Sequence, residues 1–214
     1  MNLLSFVTPA FNEAQNLPVL YERITAIDWA AQGFQIEIII VDDHSTDSTP
    51  ALLSALREKD PRVKWLRFSR NFGSHVTLAA GIEHAKGDVI SLLAADLQDP
   101  PETVPALLER WKAGGRIVWA ARDKVEGGTF SNRLFSRLYY WLMRRFALPQ
   151  MPKEGADFLI LDRLVADSLN KARERNTSIL ALIQWLGFEQ EFVPYTKQSR
   201  ASGRSKWTLS KKIK

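Results

Sequence analysis

Residues 37–43 read EIIIVDD and residues 89–99 read VISLLAADLQD, and these two stretches decide the fold of the chain. In each of them an apolar run stops at carboxylates. Such a run, bounded by polar turn residues, is typical of a strand buried on both faces of a parallel sheet. Ligands of open α/β sheets bind beyond the carboxyl ends of the strands, so these acidic residues are placed where a cation and its phosphates would be held.

Strand and helix patterns alternate through the first 121 residues, which predicts βαβ units and a mostly parallel sheet flanked by helices. The predicted strands are Leu3 to Thr8, Ile36 to Val41, Val63 to Phe68, Val89 to Leu93 and Ile117 to Ala121. The predicted helices are Asn16 to Ala30, Ser48 to Lys59 opened by Thr46 or Asp47, Ser74 to His84 closed by Gly87, and one that begins near Pro100.

The pattern changes after Arg122. We expect a mobile loop over Lys124 to Thr129. A helix rich in aromatic residues and arginines should follow over Ser131 to Phe146, and it either packs on the sheet or lies against a membrane interface. The remaining predicted elements are a strand at Phe158 to Leu161, helices at Arg163 to Arg173 and Ile179 to Leu186, and a strand at Glu191 to Tyr195.

Length and composition indicate a single α/β domain. A chain of 214 residues with 45% hydrophobic and 25% charged content suffices for one well-buried domain and is short for two. The absence of cysteine excludes a disulfide scaffold, a zinc-thiolate site and a cysteine nucleophile. The first residues lack the basic start of a secretory signal, and no segment reaches the roughly 20 apolar residues of a membrane-spanning helix.

Positive charge is concentrated at the end of the chain. The net charge is +5, and residues 196–214 contain seven Lys or Arg residues and no acid. Such a segment favours an anionic partner, which could be a phosphorylated substrate, an anionic membrane surface or nucleic acid. A solvated end without a partner is the alternative.

Polar loops follow the first two predicted strands, over Thr8 to Glu13 and Asp42 to Thr49. Carboxylates at the ends of neighbouring strands accept hydrogen bonds from a base edge and from ribose hydroxyls, so the two loops together could form a nucleotide pocket. Short acidic residues also cap helices and turns. We favour ligand contact for Asp43 and capping for Asp47.

Residues 94–102, AADLQDPPE, suggest a metal site after the strand at Val89 to Leu93. A hard divalent cation that bridges two phosphates needs one or two carboxylates and takes its other ligands from water and substrate. Asp96 is the best candidate ligand, and Gln98 could add a neutral oxygen. Asp99, which directly precedes two prolines, could instead be a helix cap.

The order and spacing of these motifs resemble family 2 glycosyltransferases of the GT-A fold, especially the polyprenyl-phosphate sugar transferases that include dolichol-phosphate mannose synthase and the bactoprenol glucosyltransferases. The matching stretches are VTPAFNEAQNL, EIIIVDDHSTDST, LRFSRNFGSHVTLAAGIEHAKGDVI, ADLQDPPE, GADFLILDR and RASGRSKW. The resemblance implies transfer of a sugar, with inversion, from a nucleoside-diphosphate sugar to a polyprenyl phosphate, with Mg²⁺ or Mn²⁺ as cofactor.

The resemblance also implies which residues bind the donor. They are Pro9, Asn12, Glu13, Asp42, Asp43 and Asp96. Asp96 matches the second acid of the family's DAD signature, and Gln98 would be a further metal ligand. Ala94 stands in place of the first acid, which predicts weaker cation binding because one carboxylate is missing.

A lipid phosphate is already an anion at neutral pH, so positioning and charge neutralisation would supply most of the rate. The catalytic residues implied by the resemblance are Asp96, Asp157, Arg122, Arg200 and Lys206. Arginine binds phosphate bidentately, so the candidate ligands of the acceptor phosphate are Arg122, Arg133 and Arg200, with Ser136 as a hydroxyl donor. The resemblance favours Arg122 and Arg200 among them. Lys206 would close over the diphosphate. Asp157 would orient the acceptor or serve as a structural turn carboxylate.

We therefore expect a GT-A domain over residues 1–195 and a basic acceptor-loop and juxtamembrane segment over residues 196–214. The expected location is the cytoplasmic face of the membrane, and the chain could form a homo-oligomer.

A processive polysaccharide synthase would carry a QxxRW motif, which Gln184-Trp185 does not supply. A non-catalytic sugar-nucleotide or membrane-binding module and a family 2 transferase with a saccharide acceptor stay open. A nucleic-acid binder would not explain the acidic strand ends.

Overall fold

A seven-stranded sheet forms the centre of the protein. The computed structural model describes residues 1–125, 158–172 and 178–198. The strands are β1 (Asn2–Ala10), β2 (Phe34–Asp42), β3 (Val63–Arg67), β4 (Val89–Leu92), β5 (Ile117–Val125), β6 (Phe158–Asp162) and β7 (Gln190–Lys197). Their order in the sheet is β3-β2-β1-β4-β6-β5-β7. Strand β6 is antiparallel to both of its neighbours, and the other pairs are parallel, which confirms the predicted mostly parallel sheet.

Helices cover both faces of this sheet. They are α1 (Leu17–Thr25), α2 (Thr49–Lys59), α3 (Ser74–His84), a 3₁₀ turn (Pro101–Thr103), α4 (Val104–Lys112), α5 (Arg163–Lys171) and α6 (Ile179–Trp185). Helices α1, α2 and α4 pack on one face, around Phe6 and Ile38. Helices α3, α5 and α6 pack on the other face, around Val7 and Ile39. Because successive strand residues point to opposite faces, covering both faces requires the continuous apolar runs seen in the sequence.

The first helix is shorter than predicted, since α1 ends at Thr25 and not at Ala30. The Thr25 hydroxyl donates to the Tyr21 carbonyl at 2.8 Å. The indole N–H of Trp29 donates to the Ile24 carbonyl at 2.8 Å, which turns Trp29 into the core. Side-chain hydrogen bonds of this kind compete with continued helical bonding, so the helix stops five residues before its predicted end.

Strand β5 is longer than predicted. Lys124 and Val125 were expected to begin a mobile loop, but β5 continues through Val125 and pairs with β7 up to Lys197. Strand β7 accordingly extends two residues beyond its predicted end at Tyr195. Pairing with a neighbouring strand satisfies backbone groups that a loop would leave to water. The predicted helix over residues 131–146 lies outside the described residues.

Close packing of glycines holds α3 against β1. The bounds of α3 are as predicted, but its C-cap is Ala85, so Gly87 does not close it. Gly87 instead lies against β1, where a Cβ would come within 2.7 Å of the Leu3 carbonyl oxygen. A Cβ on Gly81 would clash with Val7 Cγ1. The carboxyl-terminal half of α3 and the turn after it therefore pack closely on β1.

Candidate functional site

The carboxyl ends of β1, β2 and β4 lie next to one another, because β1 is between β2 and β4 in the sheet. The peptide N–H of Asp43 donates to the Ala10 carbonyl at 2.8 Å, and that of Leu93 donates to the Val7 carbonyl at 3.0 Å. Two inter-strand spacings amount to about 10 Å. One extended ligand could therefore contact the acidic ends of both β2 and β4.

Asn12 joins the loop after β1 to the loop after β2. Its backbone is in the left-handed region, with φ of 55°, which asparagine tolerates better than most residues. The side-chain oxygen of Asn12 accepts the Thr46 N–H at 2.8 Å, and the Asn12 N–H donates to the Ser45 hydroxyl at 2.8 Å. Asn12 thus fixes the shape of the predicted nucleotide pocket.

Glu13 and Pro9 also belong to the β1 side of the pocket. Both residues are half-buried. The Glu13 carboxylate accepts a hydrogen bond from the Asn16 side-chain amide at 2.6 Å, and its N–H donates to the Thr49 hydroxyl at 3.0 Å. Pro9 lies opposite Val41 in the β1–β2 pairing.

Asp42 is completely buried and contacts protein groups. One carboxylate oxygen accepts the Ser45 N–H at 2.9 Å, and the other is 3.3 Å from Nε of Arg67. Arg67 also donates to the Ser45 carbonyl at 3.0 Å. The Asp42–Arg67 pair therefore shapes the loop after β2. The sequence analysis missed Arg67, although a cation at the carboxyl end of the adjacent strand was a readable signal.

Asp43 fixes the turn that leads into α3. Its side chain is buried, and its two oxygens accept the N–H groups of Phe72 at 2.7 Å and Gly73 at 2.9 Å. The guanidinium of Arg70 stacks over the Phe72 ring, 4.5 Å from its centroid. A carboxylate offers about four acceptor positions, so hydrogen bonds to a ligand remain chemically available to Asp43.

Asp47 lies one position before Ser48, which is the N-cap residue of α2 and makes no side-chain capping hydrogen bond. The Asp47 carboxylate accepts the Thr49 N–H at 2.9 Å and the Ala14 N–H at 3.4 Å. Burial acts to raise the pKa of Asp47, but the hydrogen bonds from Thr49 and Ala14 outweigh it and lower that pKa. Asp47 therefore satisfies an N–H group of the first turn of α2, as the capping interpretation expected, from the position before the N-cap.

Asp96 and Gln98 flank a residue in an uncommon conformation. Asp96 is half-buried, and its carboxylate accepts the Gln98 N–H at 3.2 Å. Between them, buried Leu97 has a φ of 62°, which is rare for a bulky side chain. No three His, Cys, Asp or Glu side chains in the described ranges are grouped so that they could hold a metal ion. A carboxylate and an amide oxygen suit Mg²⁺ or Mn²⁺ if a diphosphate and water supply the other ligands.

Asp99 is not a helix cap, so that alternative is wrong. It is 2% exposed, and its carboxylate accepts the Tyr195 hydroxyl at 2.6 Å and lies 3.7 Å from the Lys197 ammonium. Burial and the charge of Asp99 raise the pKa of Tyr195, while Arg122 opposes the rise. The sequence carried no signal for this contact because the partners are 96 residues apart.

Of the residues predicted to bind the acceptor, Arg122 lies within the part of the chain that the structure describes. Arg122 is half-buried and lies opposite Tyr195 in the β5–β7 pairing. The other predicted acceptor and catalytic residues, which lie outside the described residues, are Arg133, Ser136, Asp157, Arg200 and Lys206. Within the described ranges, every helix is too short or too polar to cross a membrane.

Comparison with known sequences supports the resemblance. The model of glycosyl transferase family 2 matches residues 5–165. An uncharacterized glycosyltransferase of Bacillus subtilis is 35% identical over 98% of this chain and 65% of its own length. The bactoprenol glucosyl transferase of Shigella phage SfV is 33% identical over 95% of this chain and 66% of its own length. The chain therefore spans about two thirds of the length of these curated relatives.

Solved structures show the same fold at low identity. Glucosyl-3-phosphoglycerate synthase from Mycobacterium tuberculosis, in complex with Mn²⁺, UDP and phosphoglyceric acid, has a TM-score of 0.68 and 19% identity, covering 95% of this chain and 72% of that one. Mannosyltransferase PcManGT from Pyrobaculum calidifontis, in complex with GDP-Man and Mn²⁺, has a TM-score of 0.65 and 18% identity, covering 95% and 58%. The fold is GT-A, and the chain belongs to glycosyl transferase family 2.

Proposed function

We propose that this chain is the catalytic part of an inverting glycosyltransferase that moves a sugar from a nucleoside-diphosphate sugar to a polyprenyl phosphate at a membrane surface. The observation that carries the proposal is the juxtaposition of the loops after β1, β2 and β4 at one edge of the sheet. The polyprenyl-phosphate acceptor is supported by relatives named bactoprenol glucosyl transferase, such as the one 33% identical over 95% of this chain.

The donor nucleoside would bind at the end of β2. Asp43 is the residue that we expect to contact the base or ribose, through acceptor positions that the Phe72 and Gly73 N–H groups leave unused. Asn12 and Asp42 would hold the surrounding loops, since their hydrogen bonds run to Thr46 and Ser45. Donor binding would thus use a pocket that is formed before the ligand arrives.

Asp96 and Gln98 would hold a divalent cation, Mg²⁺ or Mn²⁺, beside the diphosphate. Such a cation supplies charge neutralisation for the departing diphosphate. With Ala94 in place of a second carboxylate, the protein contributes fewer charged ligands, so cation binding should depend strongly on the nucleotide.

In the proposed reaction, an oxygen of the lipid phosphate attacks the anomeric carbon. The bond from that carbon to the diphosphate oxygen breaks, and its electron pair leaves with the nucleoside diphosphate. Attack from the opposite side inverts the anomeric centre. Because the phosphate is already ionised, the protein needs mainly to position it. Arg122 is the described candidate, and the proposed roles of Arg133, Ser136, Asp157, Arg200 and Lys206 complete the acceptor side.

The proposal is tested in two steps. Calorimetry with UDP-glucose, UDP-N-acetylglucosamine and GDP-mannose, each with MnCl₂, selects the donor. The selected donor is then incubated with undecaprenyl phosphate in detergent, with MnCl₂ or with EDTA. We expect a lipid-linked sugar and free nucleoside diphosphate that require both the lipid and the metal. Donor binding without transfer to lipid phosphate would overturn the proposed acceptor.

A non-catalytic sugar-nucleotide-binding module is the second candidate. It is favoured by Ala94 and by the lack of a three-carboxylate group among the described residues. This candidate predicts that nucleotide sugar binds but that neither sugar nor nucleotide is released, with or without manganese. Metal-dependent turnover would exclude it.

A further inference from the structure

We propose that the carboxyl end of β7 is a positioning device for the cation-binding loop. Tyr195, Lys197 and Gln198, which we call the β7 clasp, hold residues 96–99 in the conformation that presents Asp96 and Gln98. What the loop binds rests on the proposed function, whereas the effect of the clasp on loop conformation can be tested without it.

The loop needs such support because of Leu97. Its positive φ of 62° is unfavourable for a residue with a branched side chain, and conformations of this kind persist when the surroundings over-determine them. Leu97 lies directly between the two candidate cation ligands. If Leu97 adopted a negative φ, the backbone would turn differently, and the side chains of Asp96 and Gln98 would no longer have the same relative orientation.

Three contacts of the clasp supply this support. The Tyr195 hydroxyl donates to the Asp99 carboxylate at 2.6 Å, and the Lys197 ammonium lies 3.7 Å from the same carboxylate. The Gln198 N–H donates to the Gln98 carbonyl at 2.9 Å. Because a buried carboxylate is costly without partners, Tyr195 and Lys197 determine where Asp99, and with it the end of the loop, can lie.

A second set of contacts extends the clasp to α1. The Arg23 guanidinium donates to both carboxylate oxygens of Glu102, at 2.9 Å and 2.6 Å. It also donates to the Gln198 side-chain oxygen at 3.3 Å. The loop is thus held at Gln98 and Asp99, and the 3₁₀ turn that follows it is held at Glu102. The position opposite Tyr195 in the sheet is Arg122, so the same pair of strands carries a candidate ligand for the acceptor phosphate.

The test removes one hydroxyl. Tyr195→Phe keeps the ring contact with Phe158, whose centroid is 6.1 Å away, and loses the hydrogen bond to Asp99. We expect faster hydrogen exchange in residues 93–104, and a Kd for UDP or GDP with MnCl₂ that rises about fivefold. The matched control is Tyr21→Phe, because the Tyr21 hydroxyl donates to the Asp60 carboxylate at 2.9 Å, away from the site. The control should leave both the exchange in residues 93–104 and the Kd unchanged.

A second variant addresses the charge. Lys197→Met removes the partner ammonium at a side chain that is 15% exposed, and Lys197→Arg restores a cation. We expect Lys197→Met to weaken nucleotide binding and Lys197→Arg to recover most of it. Unchanged exchange and Kd in Tyr195→Phe would overturn the clasp. A parent chain that binds neither UDP nor GDP would overturn the proposed function, and the exchange measurement would still test the clasp.

Discussion

The ends of β2 and β4 share one sequence pattern but differ in the burial of their carboxylates and in the backbone N–H groups that these carboxylates accept. At β2, Asp42 and Asp43 are buried and accept backbone N–H groups at 2.7 to 2.9 Å. At β4, Asp96 is half-buried and accepts a longer bond of 3.2 Å from the next residue but one. In the proposed site, a nucleoside pocket with buried carboxylates would lie beside a cation site whose carboxylate is more exposed.

The largest expected effect is at the β4 end. Asp96→Ala should lower transfer at least about 100-fold, because it removes the candidate charged ligand of the cation. The free energy of unfolding should fall by about 1 kcal/mol, since the half-buried carboxylate accepts the Gln98 N–H. Product formation and urea unfolding measure the two effects. Transfer near the parent level would remove Asp96 from the site.

Replacing the carboxylate at the β2 end by an amide should affect folding and binding together. Asp43→Asn places an amide where two backbone N–H groups now donate to a carboxylate, so one of them loses its acceptor. We expect a loss of about 2 kcal/mol in unfolding free energy together with weaker nucleotide binding. Urea unfolding and calorimetry measure these, with Asp96→Asn as the matched change at β4. Equal stability losses in both variants would break the comparison.

Restoring the missing acid at position 94 should strengthen cation binding at the β4 end. Ala94→Asp adds a carboxylate two residues before Asp96, so the Mn²⁺ concentration for half-maximal activity should fall about tenfold. Ala113→Asp adds the same charge at the exposed end of α4 and is the control. An identical manganese requirement in both variants would show that position 94 does not face the cation.

Local patterns predicted much of the fold. The apolar runs of β1, β2 and β4 are buried on both faces, so their composition alone identified them. The direction and place of β6 were not predictable, because a short apolar run carries no information about its partners. Strand β6 lies antiparallel between β4 and β5, although it follows both in sequence.

The residues of the candidate site also differ in how well the sequence predicted their contacts. Capping by Asp47 depends on residues within a few positions, and the sequence predicted it. The roles of Asp99 and Arg67 depend on contacts with residues 96 and 25 positions away, through Tyr195 and Asp42. The contact of Asp99 depends on strand order, which a local pattern does not contain, whereas Arg67 could have been found as a cation at the end of a predicted neighbouring strand.

The smallest expected effect is on the pH dependence of unfolding. It involves Asp60, which lies outside the candidate site and therefore tests stability without affecting nucleotide binding. Asp60 precedes β3 at the opposite edge of the sheet, and its hydrogen bonds with the Arg62 guanidinium hold its pKa at about 2. Since this pKa is below the unfolded value, the pair stabilises the fold above about pH 4 and loses that effect as the pH falls toward 2. Arg62 is 48% exposed, so solvent screening should limit the contribution to about 1 kcal/mol.

Asp60→Asn should therefore be less stable than the parent at pH 6, and the difference should shrink by pH 3 in urea unfolding. Nucleotide binding at pH 7 should be unchanged, because Asp60 is remote from both strand ends. A stability difference that does not vary with pH would show that the loss comes from the changed side chain and not from the ion pair.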